Sequence, residues 1–97
     1  MNKVGFKSYF ENSTYIQNGK ECKYTENAIN SRIARLQECE AHYNINIDDI
    51  ADDYKQVIAL LKQIRKDRLE DPLHEPISNA VRHYFTYKTG MEIGRIL

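Results

Sequence analysis

The sequence predicts an all-α protein, a compact orthogonal bundle of four helices. Three observations lead there. Apolar residues recur at the 3.6-residue helical period in successive segments, and strand-type alternation is sustained nowhere. The few Gly and Pro residues fall between the periodic segments: Asn18-Gly19 reads as an early turn, Pro72 and Pro76 bracket a loop, and Gly90 and Gly94 follow the last segment. A chain of 97 residues suits one domain with one modest core, so residues 1–97 are read as a single α-helical domain with 91–97 as a tail or linker.

The first predicted helix runs over about Val4 to Glu11, where Phe6, Tyr9 and Phe10 anchor a short segment to the core. The second starts at Thr25, a capping residue, with Glu26 suited to the positive helix N-terminus and Tyr24 placed to staple onto Ile29. Ile29, Ile33, Leu36 and Tyr43 form its inward stripe, and Asn44 and Asn46 end it near Tyr43. In NINIDDIADD, Ile47 and Ile50 are three apart and tuck inward on a short helical turn. Its aspartates lack the Gly and closing Glu of an EF-hand loop, so Asp48 and Asp53 are expected as helix caps instead.

The third helix has the strongest pattern: Tyr54, Val57, Ile58, Leu61 and Ile64 on one stripe, widened by Leu60. Lys62, Arg65, Lys66 and Arg68 gather at its C-terminal end, where cations favour the dipole. After the loop LEDPLHEP, the fourth helix is expected to be capped by Ser78, to turn Ala80, Val81, Tyr84 and Phe85 inward, and to stop at Gly90. The predicted core is Phe10, Ile29, Ile33, Leu36, Ile50, Val57, Ile58, Leu61, Ile64, Val81, Tyr84 and Phe85.

Composition narrows function. No run approaches the ~20 apolar residues of a membrane span, and the N-terminus has no apolar signal-peptide core. Cys22 and Cys39 show no metal spacing, and reduced thiols in a cytoplasmic protein are expected. His42, His74 and His83 stand apart, no G-x-S-x-G or phosphate-cradling glycine loop occurs, and the paired aspartates are adjacent and solvent-facing. No enzymatic activity, metal or cofactor is therefore expected. The formal charge is zero, yet residues 26–53 hold two Arg and seven Asp or Glu, leaving an excess of five positive charges on the rest.

The order of these signals carries a resemblance. A short aromatic helix (FKSYF) precedes a basic turn and a Thr-capped helix (KECKYTENAINSRIARL). Then follow an Ile-Asp-Asp-Ile turn, an amphipathic helix (YKQVIALLKQI), and a Ser-started aromatic helix (ISNAVRHYFTYKTG). Over residues 6–90 this resembles the SAM-like core-binding N-terminal domain of tyrosine recombinases, the phage integrase family. The resemblance implies a four-helix domain that clamps double-stranded DNA from one side and serves DNA recombination. Carried over, it offers Lys20, Lys23, Thr25, Asn27 and Asn30 from the first contact helix and its preceding turn, and Ser78, Asn79, Arg82 and His83 from the second. Lys and Arg neutralise phosphates, helix N-termini donate N–H groups, and Asn reaches base edges. The family's catalytic Arg, H-x-x-R and nucleophilic Tyr have no counterpart here, and neutrality departs from the basic excess of a DNA clamp. The alternative is a small helical protein-interaction or accessory factor of a phage or mobile element, anchored by exposed Tyr and Arg. Steep salt dependence belongs to the first reading and weak salt dependence to the second.

Overall fold

In a computed structural model, which describes residues 1–94, the chain is mixed α/β rather than all-α. Helix α1 (Lys3–Glu11) leads into an antiparallel hairpin of β1 (Thr14–Gln17) and β2 (Lys20–Lys23). Then come α2 (Glu26–Tyr43), a 3₁₀ turn at Ile47–Asp49, α3 (Tyr54–Lys66) and α4 (Pro76–Thr89). Of the tail or linker read at 91–97, Ile93 packs partly against the core, and 95–97 lie outside the described residues. Among the described residues no helix is long and apolar enough to cross a membrane.

The hairpin overturns the all-α expectation, and its signal was local. Asn18 and Gly19 take φ of 53° and 75°, two consecutive left-handed residues as a type I′ turn requires. That turn's twist matches the right-handed twist of paired strands, so it folds the chain back into register: Thr14 opposite Lys23, Tyr15 opposite Cys22, Ile16 opposite Glu21, Gln17 opposite Lys20. Apolar alternation is missing because only Tyr15 and Cys22 are even half-buried; the ribbon lies on the surface and has no core face to mark.

The helices form for the reasons the sequence supplies. Thr25 accepts from the Ala28 N–H at 3.1 Å and starts α2, and Asn44, in the left-handed conformation at φ 52°, ends it. Asp53 accepts from the Lys55 and Gln56 N–H groups and starts α3. Asp48, expected as a cap, instead meets Tyr84 and Lys88. Helix α4 also departs from expectation. It begins at Pro76, whose fixed φ suits a first turn, and Ser78 lies inside it, buried rather than capping. The missing cap comes from the loop: Glu70 accepts from the N–H groups of Ile77 and Ser78 and from the Ser78 hydroxyl.

Helix α4 packs on α1, α2 and α3, and its Ala80, Val81, Tyr84 and Phe85 are buried. Phe6 meets Phe10 and Tyr84 edge-on, with centroids at 4.7 and 4.9 Å, the arrangement the ring quadrupoles favour. On α3 the buried set is Val57, Leu60, Leu61 and Ile64, at i, i+3, i+4 and i+7. Each such side chain contributes about 1.5–3 kcal/mol by leaving water. Two residues of the predicted core, Ile50 and Ile58, are only half-buried, and Tyr54 is exposed at the rim of the α3 stripe. Phe6, Cys39, Ile47, Ala51 and Ile77 complete the core.

Candidate nucleic-acid interface

Alternation along β2 decides where the first two expected contacts point. Lys20 and Lys23 are three residues apart, so they leave opposite faces of the ribbon. Lys20 shares its face with Tyr15, Gln17 and Cys22, the side on which Tyr15 meets Tyr24 at 4.9 Å. Lys23 shares the other with Thr14, Ile16 and Glu21, where the Thr14 hydroxyl donates to Glu21 at 2.7 Å and Ile16 is 72% exposed. Thr25 caps α2 directly after the ribbon, and Asn27 and Asn30 lie exposed on its first turns. Asn30 and Arg32 are two residues apart, about 200° around the helix, so the asparagines face away from the Arg32 side.

Arg32 belongs to a second place. Its guanidinium lies over the rings of Phe10 and Tyr24, 5.5 and 5.2 Å from their centroids, and donates to the Ala28 carbonyl at 3.1 Å. His83 packs edge-on against Phe10 at 5.3 Å. Burial, then the charges of Arg32 and Arg82, push the His83 imidazole down to about 4, so it is neutral at physiological pH. Asn79, Arg82, His83 and Thr86 line one open groove of about 390 Å³ with Tyr9, Phe10 and Tyr24 opposite. Three of the contacts expected on α4, Asn79, Arg82 and His83, thus share one groove, but their groups are engaged. The Arg82 side chain is 14% exposed, faces Glu75 at 3.5 Å and donates to Asn79.

The nine expected contacts thus divide. Lys20, Lys23, Thr25, Asn27 and Asn30 form an exposed ribbon-and-helix-start surface. Asn79, Arg82 and His83 form an aromatic-walled groove, and Ser78 is withdrawn into the core beside Glu70. Sequence reasoning missed Arg32, Tyr15 and Tyr24 as partners of this region. The signal available was Tyr24 beside a Thr cap, with Arg32 flanking the apolar stripe of α2. Among the described residues no three His, Cys, Asp or Glu side chains converge as metal ligands. No family model, no curated protein and no solved structure matches the chain. The likeness to the recombinase core-binding domain rests on its sequence motifs alone.

Proposed function

We propose that the chain is a double-stranded-DNA-binding module, of the kind the integrase likeness implies, whose recognition element is the β-hairpin rather than α4. The observation that carries this is the ribbon itself: surface-borne, tipped by Asn18-Gly19, with one lysine on each face. Four residues of strand rise about 13 Å, more than the ~8.5 Å depth of a B-DNA major groove, and a two-stranded ribbon fits its ~12 Å width. Entering tip first, the ribbon turns its two faces to the two phosphate walls. Lys20 then neutralises one wall and Lys23 the other, while Gln17 and Asn18 reach base edges and Ile16 offers an apolar contact to a thymine methyl. Glu21 subtracts from the Lys23 face, which limits the charge available and keeps the phosphate contacts few. The free thiols of Cys22 and Cys39 fit action in the reducing cytoplasm.

Anisotropy of a labelled duplex, titrated at several salt concentrations, tests the reading. Two phosphate contacts give a slope of log K against log salt of about −1.8. Lys20→Ala with Lys23→Ala should bring the slope near zero while moving stability by no more than about 0.5 kcal/mol, because both side chains are exposed. Arg82 is unsuited to this test, since its truncation also breaks the Glu75 pair. A parent that binds no duplex at low salt, or a double variant that binds as the parent does, sinks the reading and leaves the protein-interaction alternative.

A further inference from the structure

At the root of the hairpin, where β2 passes into α2, a cavity of about 250 Å³ is lined by Tyr15, Tyr24, Thr25, Ala28 and Arg32. Two tyrosine rings in contact, with centroids at 4.9 Å, make its apolar wall. Among the described residues its lining holds one charge, that of Arg32, and no carboxylate. The cavity lies on the ribbon face that carries Lys20. Tyr15 pairs with Cys22 there, and Lys20 pairs with Gln17 two positions nearer the tip, about 7 Å away along the strand. A cation, two rings and a second cation therefore follow one another from the tip of the ribbon to the start of α2.

The guanidinium of Arg32 is a second, independent observation. Arg32 is half-buried, and among the described residues it forms no ion pair. Its Nη1 donates to the Ala28 carbonyl at 3.1 Å. Its Nε–H is shut off from solvent and meets no acceptor, the single buried side-chain nitrogen or oxygen so left among the described residues. The rings of Phe10 and Tyr24 lie against the group but carry no net charge. A partly buried cation with neither a countercharge nor a full set of acceptors costs the fold free energy, and an anion seated beside it offsets that cost.

We propose that this cavity holds one unpaired nucleotide of the DNA that the ribbon contacts, its base on the Tyr15–Tyr24 wall and its phosphodiester against Arg32. This use of the cavity rests on the ribbon as the DNA-contacting element, and it makes the protein a reader of the junction between duplex and single strand. A phosphodiester carries one negative charge, and Arg32 leaves one positive charge unmatched. Every base has a π-face, so a tyrosine wall accepts any of them, and a basic track beside aromatic rings binds single strands without hydrogen-bond readout. The volume lies below the ~300–1,000 Å³ of drug-sized ligand pockets, which suits a single base. Lys20, nearer the tip, holds a phosphate of the adjoining duplex.

The probes are a labelled blunt duplex, the same duplex with a short single-stranded thymine tail, and the same tail built from abasic sites. Each is titrated with the full chain and followed by anisotropy. The thymine tail should tighten binding roughly tenfold, and the abasic tail, which keeps the phosphates and lacks the bases, should give only a small part of that gain. Tyr15→Leu keeps an apolar side chain against Tyr24 and removes a ring. It should bind the blunt duplex as the parent does and lose most of the preference for the tail. Arg32→Gln should reduce the salt slope for the tailed duplex by roughly 0.7, one single-strand phosphate contact, and leave the slope for the blunt duplex unchanged. If its melting shows that Arg32→Gln does not fold, Tyr15→Leu decides. A blunt duplex bound with no gain from the tail, an abasic tail that gains as much as thymine, or a Tyr15→Leu variant that keeps the full preference overturns the nucleotide cavity and leaves the duplex reading intact. A tailed duplex bound where the blunt one is not overturns the groove-entering ribbon and leaves the cavity. Binding of neither overturns both.

Discussion

The hydroxyl of Tyr84 donates to the carboxylate of Asp48 and accepts from the Asn2 N–H at 2.8 Å, so one buried phenol joins α4 to the 3₁₀ turn and to the start of α1. Burial pushes the Asp48 carboxyl up, but the Tyr84 hydroxyl, the Met1 ammonium and Lys88 outweigh it and hold the group below its ordinary value. Burial, and then Asp48, push the phenol upward. An acidic cluster that reads from sequence as solvated surface thus supplies the partner of a core ring.

Tyr84→Phe keeps the ring and removes both bonds, leaving the Asn2 N–H and Asp48 to find other partners. The expected cost is about 1–3 kcal/mol, read as a lower urea midpoint with an unchanged slope. Because the folded-state pKa of Asp48 lies below its unfolded value, its contribution is present above the unfolded pKa and is lost as pH falls through the folded one. The variant should therefore lose part of the parent's stability gradient below about pH 4.

Glu70→Ala should strip the N-terminus of α4 of its only side-chain acceptor among the described residues, since Glu75 at the N-cap position makes no capping bond. The expected loss is about 1–3 kcal/mol, with amide exchange rising first at Ile77 and Ser78. Protection of those amides equal to the parent's would refute the assignment of Glu70 as the cap.

His83 reports its surroundings through pH. Its folded pKa of about 4 lies below the ordinary ~6.5, so the unfolded state binds more protons between those values. Stability from this residue is complete above about pH 6.5 and falls as the solution is acidified toward 4. An NMR titration should place the imidazole near the low value, and His83→Gln should flatten the stability profile between pH 4 and 6.5. An imidazole that titrates near its ordinary value would show the Phe10–Tyr24–Arg32 environment to be open to water.

Phe85→Ala should cost about 3–5 kcal/mol, a large share of a small domain's stability. Val4→Ala, on a side chain that is 81% exposed, should move it by no more than about 0.5 kcal/mol. Chemical denaturation of the pair checks whether the α4 face is the centre of the core.

The sequence by itself determined what acts over one or two turns of chain. Helical period placed Ile29, Ile33 and Leu36 on α2, Val57, Leu61 and Ile64 on α3, and Val81, Tyr84 and Phe85 on α4, and all are buried. Thr25, Asp53, Asn44 and Gly90 mark helix ends because capping bonds close within a few residues. Asn18-Gly19 was equally local; it was readable as a turn, but the strands it joins have no buried face and so no alternation to announce them. Tertiary structure decided the rest. Whether Ser78 caps or is buried depended on Glu70, eight residues away, and the fate of Asp48 on Tyr84, thirty-six residues away. The meeting of Arg65 and Arg68 with Arg82 required α4 to fold back across α3. Periodicity encodes which side of an element is apolar. It does not encode which element that side meets, because that choice is made by packing the whole chain at once.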